Sequence, residues 1–179
     1  MAEPKTDPDP LLGDVMATCR SQKRLAERAI AQLSDDQLHL ALDENTNCIV
    51  VIMKHLAGNM TSRWTDFLTT DGEKPSRNRD GEFVDDVRSR DELMAIWEAG
   101  WVRLFDALGS LGGTDLDKQV KLRGEPQTAR QAILGQLSHY GYHVGQIVLI
   151  AAHLAKDRWE WLTIPPGQSE AYNKRVWKR

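Results

Sequence analysis

The sequence predicts an all-α protein: a four-helix bundle with up-down-down-up topology and a long crossover between helices 2 and 3. Four long segments place apolar residues at the 3.6-residue period of an amphipathic helix. About 20 charged, turn-rich residues separate the second segment from the third. A chain of 179 residues can bury a core as one domain. We therefore expect a flexible tail at 1–10 and one domain at 11–179 with a packed C-terminal tail.

The four helical segments begin at residues that favour helix starts. They are predicted at 11–33, 46–69, 90–110 and 129–156. Asn45 is a candidate N-cap for the second segment. Ser89 with Glu92, and Thr128 with Gln131, match the S/T-x-x-E/Q pattern of a capping box at the third and fourth.

The connections also carry structural signals. The link between segments two and three contains two Asp-Gly turns, and long links of this kind are often functional. Polar and apolar residues alternate just before Gly124, so a short hairpin is expected near 118–126. The end of the chain, 159–179, keeps several aromatic residues and is expected to pack on the bundle, with a short helix after Gly167.

Composition argues against several partners. The net charge of −3 and the pI near 6.0 do not favour nucleic acid or an anionic membrane surface. No apolar run approaches the roughly 20 residues of a membrane span. The first ten residues lack the apolar core of a signal peptide, so a cytoplasmic location is expected. In that setting Cys19 and Cys48, each on an apolar helical stripe, are expected to be buried free thiols.

Three histidines form the main candidate site. His139 and His143 are four residues apart, so they share one face of a helix. His55 interrupts an apolar run, and its face is apolar before it and polar after it. Segment four shows the reverse order, so matching the two faces requires antiparallel helices, which the up-down-down-up topology provides. The sequence therefore predicts one divalent metal ion on His55, His139 and His143.

Three neutral imidazoles would leave coordination positions open, as in catalytic rather than structural metal sites. An open position could hold water and lower its pKa, or bind a thiolate. Three histidines suit zinc, nickel, iron or copper. Alternatives remain open at this stage. His55 could be a core histidine bonded to a neighbour, His139 could cap a polar layer, and the bundle could hold no metal.

A resemblance adds to these signals. It is carried by the stretches KHLAGNMTSRWTDFL, TTDGEKPSRNRDGEF, GQLSHYGYHVGQIVLIA and WLTIPPGQSEAYN. There, and over nearly the whole chain, the sequence resembles a bacterial branch of the DinB-like (YfiT-type) superfamily of metalloenzymes. The resemblance implies the same bundle topology, a metal on His55, His139 and His143, zinc or nickel as the ion, and a homodimer.

The resemblance also implies a reaction class. Characterised relatives are thiol-dependent S-transferases or isomerases, so we expect a metal-dependent S-transferase or hydrolase acting on a low-molecular-weight thiol or another small molecule. Asn59, Arg77 and Arg79 are the candidate substrate-binding residues. Alternatively, Arg77, Arg79, Asp80 and Glu82 pair among themselves and order the crossover. The alternative function is a non-catalytic, metal- or stress-responsive dimeric binding module.

Overall fold

The computed structural model describes residues 9–177, and most of them are helical. The helices are α1 (Pro10–Ile30), α2 (Asp35–Leu38), α3 (Ile49–Trp64), α4 (Arg90–Ser110), α5 (Ala129–Ala155) and α6 (Ser169–Val176). The strands are β1 (Gln119–Leu122) and β2 (Glu125–Thr128), and 3₁₀ turns occur at Asp80–Phe83, Gly113–Asp117 and Lys156–Arg158. The prediction of a mainly helical protein is confirmed. The expected flexible tail falls mostly outside the described residues, and Pro10 already begins α1.

The core lies between the four long helices. Helix α3 packs against α4 and α5, and α1 packs against α5 and α4. The largest side chains with no appreciable exposure include Trp97, Trp101 and Tyr140. Trp101 lies edge-on to both other rings, with centroids 5.4 Å from Trp97 and 5.9 Å from Tyr140. Large aromatic side chains from α4 and α5 therefore meet in the core, between helices that pack mainly on α1 and α3.

Both cysteines are buried free thiols, as predicted. Burial raises the pKa of the Cys19 thiol to about 11, with Arg20 opposing the shift. The pKa of Cys48 is also raised, mainly by burial. Neither thiol has the thiolate character that reactive cysteines need at neutral pH.

Helix α3 is shorter than predicted at both ends. It begins after Cys48, so the prediction of Asn45 as N-cap is wrong. The reason is local: the Thr46 hydroxyl accepts from the backbone N–H of Asp43 and donates to its carbonyl, which closes a separate turn, and the Asp43 carboxylate accepts from the N–H of Asn45. At the other end the chain leaves the helix at Thr65, and Asp66 has a positive φ of 48°.

The predicted hairpin is confirmed, as β1 and β2 pair antiparallel with Gln119 opposite Thr128. Its turn residues Arg123 and Gly124 both have positive φ, 53° and 84°, as a two-residue turn of this hand requires. Thr128 then caps α5 and forms the predicted capping box with Gln131. The hairpin therefore leads directly into the helix that carries two of the histidines.

The C-terminal tail contacts α1 through its first residues. Gln32 exchanges two hydrogen bonds with the backbone of Glu160, at 2.7 and 3.0 Å, and Arg28 donates to the carbonyl of Leu162. The expected short helix follows as α6, but it buries none of its residues. Trp177, which directly follows it, is 80% exposed. The tail therefore contacts α1 through its first residues, whereas α6 is mostly polar and charged and has no buried residue.

Candidate metal centre

The three predicted histidines come together. His55 lies on α3, and His139 and His143 lie one turn apart on α5. One ring nitrogen from each lies within 4.8 Å of the other two. The Nε2 atoms of His55 and His139 are 3.4 Å apart. Two nitrogens bound tetrahedrally at the Zn–N distance of about 2.0–2.1 Å would lie about 3.4 Å from each other. This group could hold a metal ion.

The rings meet at steep angles. The centroids of His139 and His143 are 4.6 Å apart with the planes at 89°, and His55 lies 5.4 Å from His139 at 86° and 5.0 Å from His143 at 66°. Rings at these angles are not stacked on one another, and one nitrogen of each ring lies near the same point. The arrangement suits ligation of a common ion.

The environment favours the neutral imidazole at His139 and His143. His55 is buried, and His139 and His143 are half-buried. Burial lowers the pKa of His139 from its ordinary 6.5 to about 4, and the neighbouring His143 and His55 act in the same direction. Burial also lowers the pKa of His143. Neutral imidazole is the form that binds a metal, so at neutral pH these two ligands need not release a proton first.

Two of the imidazoles have a fixed partner for the second nitrogen. Nδ1 of His143 lies 2.7 Å from Oε1 of Gln146, whose amide donates to the hydroxyl of Tyr142. Nδ1 of His55 lies 3.0 Å from Oε2 of Glu82. Both partners are oxygen acceptors, so each Nδ1 donates, and in the neutral ring each Nε2 then carries the lone pair. Nδ1 of His139 is buried and has no hydrogen-bond partner within residues 9–177.

Glu82 also lies in this site, and the sequence pattern did not predict its contact with the histidines. It reaches His55 from the 3₁₀ turn in the crossover segment, residues 65–89. Its side chain is 9% exposed, and the Arg77 guanidinium donates hydrogen bonds to both carboxylate oxygens, at 2.7 and 2.8 Å. Burial raises the pKa of Glu82, but the hydrogen bonds from His55 and Arg77 outweigh burial and hold it below its ordinary value. Glu82 is therefore a buried carboxylate partner of His55.

Gly58 makes this contact possible. A Cβ atom at this position would lie 2.3 Å from Oε1 of Glu82. Gly58 lies three residues after His55, so it occupies the neighbouring position on the same side of α3. One sequence signal could have indicated this contact. It is a glycine in the middle of an apolar helix, one turn from a buried histidine, which leaves space for the side chain of another segment.

The predicted substrate-binding residues occupy different environments. Arg77 pairs with Glu82, as the alternative interpretation expected, and its side chain is only 4% exposed. Asn59 is buried and accepts a hydrogen bond from Tyr140. Arg79 is exposed, with its guanidinium 5.1 Å above the ring of Phe83, which in turn lies 4.9 Å from the ring of His55. Substrate binding by Asn59, Arg77 and Arg79 stays a prediction.

Comparison with known proteins gives one result. A family model described as "Protein of unknown function (DUF1572)" matches residues 8–168. This chain belongs to that family. The DUF1572 match includes His55, Glu82, His139 and His143, so the whole histidine cluster lies inside the family's domain. No curated protein and no solved structure matches the chain. Among residues 9–177, none of the helices has the length and apolar character to cross a membrane.

Proposed function

We propose that this DUF1572 protein is a metal-dependent enzyme of the DinB-like type, with zinc or nickel bound by His55, His139 and His143. The observation that carries the proposal is the convergence of the three imidazoles within 4.8 Å. The lowered pKa values of His139 and His143 add support, because neutral imidazoles are what a divalent ion needs.

The DinB-like assignment includes the bundle topology. We propose that α1, α3, α4 and α5 form an up-down-down-up bundle, in which the crossover segment joins α3 to α4. The packing of α3 on α4 and α5, and of α1 on α5 and α4, supports it. The arrangement also explains how His55 on α3 meets two residues of α5.

We propose thiol-dependent S-transfer as the reaction, with hydrolysis as the variant that uses water. A divalent metal supplies Lewis acidity, which deprotonates a coordinating thiol. In this proposal a small molecule approaches from the side of His139 and His143, which are half-buried, whereas His55 is buried. The exposed Arg79 lies over the ring of Phe83, which contacts the ring of His55. In this proposal its guanidinium attracts an anionic group of a low-molecular-weight thiol.

The test begins with metal content. Protein purified without a His tag should carry about one zinc or nickel ion per chain by elemental analysis. His143→Ala should lose most of it, while His153→Ala should keep it, because His153 is an exposed residue of the same helix. Unchanged metal in His143→Ala would refute the site.

A thermal-shift screen of low-molecular-weight thiols tests the reaction class. Ligands that bind the native state raise the melting temperature. A specific thiol should do so in the metal-loaded protein, and less after a chelator has removed the ion. If a thiol raises the melting temperature equally with and without the chelator, the thiol does not bind at the metal, and the proposed reaction class is contradicted.

The second candidate function is a non-catalytic, metal- or stress-responsive homodimeric module. The observation that favours it is the exposure of large apolar side chains in the tail, where Trp161 is 53%, Val176 43% and Trp177 80% exposed. In this proposal a homodimer contact covers these side chains. Sedimentation should show a dimer, and a metal-loaded protein that responds to no thiol would favour this function over the enzyme.

A further inference from the structure

Three side chains link the crossover segment to the histidine cluster. The guanidinium of Arg77 donates hydrogen bonds to both carboxylate oxygens of Glu82, and one of those oxygens lies 3.0 Å from Nδ1 of His55. Arg77 also contacts Glu73, whose carboxylate accepts from Arg63 as well. One guanidinium therefore binds both oxygens of the Glu82 carboxylate, and Glu73 in turn binds that guanidinium.

An ionised carboxylate can only accept hydrogen bonds, and this determines the imidazole tautomer. With Glu82 as its partner, Nδ1 of His55 must carry the proton. In the neutral ring, which is the form that binds a metal, the lone pair then lies on Nε2, the nitrogen found 3.4 Å from Nε2 of His139. Because Arg77 engages both oxygens, Glu82 cannot rotate away without losing two charge-assisted hydrogen bonds.

We infer that Glu82 is a positioning residue of the metal centre, which fixes the proton of His55 on Nδ1 and presents Nε2 to the ion. The inference rests on the proposed metal site and extends it to the crossover segment. A hydrogen-bond acceptor on the histidine nitrogen that does not bind the metal typically contributes 10–100-fold in metal affinity. Coupling of this kind is reciprocal, so metal binding should in turn strengthen the contact of the crossover segment with α3.

Glu82→Gln tests the inference with nearly unchanged shape. The amide has one oxygen, which Arg77 attracts, so its N–H group turns toward Nδ1 of His55 and moves the imidazole proton to Nε2. We expect the Kd for Zn²⁺, measured by competition with a chelator, to rise by about 10–100-fold. In the metal-free protein, ¹⁵N NMR should show His55 protonated on Nδ1 in the wild type and on Nε2 in Glu82→Gln.

Two further variants separate positioning from general disruption. Gly58→Ala keeps every charge but places a methyl group where the Glu82 carboxylate lies, so it should weaken Zn²⁺ binding in the same direction. Glu73→Gln removes a partner of Arg77 that does not touch His55, and its Kd should stay within about threefold of wild type. An equal loss of affinity in Glu73→Gln and Glu82→Gln would overturn the positioning role.

The wild-type measurement distinguishes the two levels of the proposal. If the wild type binds Zn²⁺ and Glu82→Gln binds it equally well with the proton still on Nδ1, positioning by Glu82 is refuted and the metal site stands. If the wild type binds no Zn²⁺, the proposed function fails and the inference about Glu82 fails with it.

Discussion

The indole N–H of Trp64 donates a 2.7 Å hydrogen bond to the hydroxyl of Tyr140, at the centre of the contact between α3 and α5. The same hydroxyl lies 3.4 Å from Oδ1 of Asn59, to which it donates. All three residues are buried, and burial holds the pKa of Tyr140 far above its ordinary value. Because Tyr140 follows His139 directly, this buried polar group connects the two helices that carry the histidines.

Tyr140→Phe should destabilise the protein. It leaves the Trp64 N–H and the Asn59 oxygen without their partner in the core, which costs about 1–3 kcal/mol in the free energy of unfolding. Urea unfolding measures the change. Tyr142→Phe is the control, because Tyr142 is 64% exposed and should change stability by less than about 0.5 kcal/mol. Equal stability of the two variants would show that the buried hydrogen bonds contribute nothing net.

Two glycines of α4 should respond in opposite ways to alanine. A Cβ at Gly100 would lie 2.8 Å from the Cα of Ala57 on α3, so Gly100→Ala should cost about 1–3 kcal/mol through overpacking. A Cβ at Gly109 meets nothing within 4 Å, so Gly109→Ala should add about 0.5–1 kcal/mol of stability by favouring the helix. Thermal melting compares the variants, and a gain in Gly100→Ala would contradict the observed helix contact.

The metal-free protein should lose stability as the pH falls from about 6.5 to about 4. Folded His139 stays neutral down to about pH 4, whereas the unfolded chain takes up a proton near 6.5. The unfolded state then binds more protons, so the free energy of unfolding decreases with decreasing pH, and the stabilising contribution is complete only above 6.5. Urea unfolding in chelator at several pH values measures this.

A matched pair of variants assigns that pH dependence. His139→Gln should have a shallower slope of stability against pH, since it removes a group that titrates differently in the two states. His153→Ala, on the exposed side of the same helix, should keep the wild-type slope. Identical slopes for wild type and His139→Gln would exclude His139 as the cause.

Asp71→Ala should loosen the contact between the crossover segment and the hairpin. The Asp71 carboxylate accepts from the backbone N–H groups of Glu73, Arg123 and Gly124 at 2.7–2.8 Å, which lowers its pKa to about 2. We expect amide hydrogen exchange at those positions to accelerate on the order of tenfold. Asp117→Ala, which removes an exposed carboxylate before β1, should leave those rates unchanged.

Periodicity identified the long helices because each buries a continuous stripe of side chains. It also placed His55, His139 and His143 on faces that meet. It misjudged the start of α3, since Cys48 is not a typical capping residue and Asn45 is engaged in a separate turn. Local pattern predicts an element more reliably than its ends.

The part of the site that sequence reasoning missed depends on contacts between distant residues. Glu82 lies 27 positions from His55, in a segment whose many charges suggest a solvated loop. Nothing in its immediate neighbours distinguishes it from Asp80, which is exposed. Only the folded arrangement, with space left by Gly58 and a fork supplied by Arg77, makes this one carboxylate a buried partner.

The spacing of five residues between Arg77 and Glu82 has a consequence for engineering and for natural variation. Surface connections usually absorb insertions and deletions without harm. Here one added residue between these positions would change the direction of the carboxylate and separate it from the imidazole or from the guanidinium. A length change in a segment that contributes no ligand of its own should therefore appear as a defect in ion binding, while the helices remain folded.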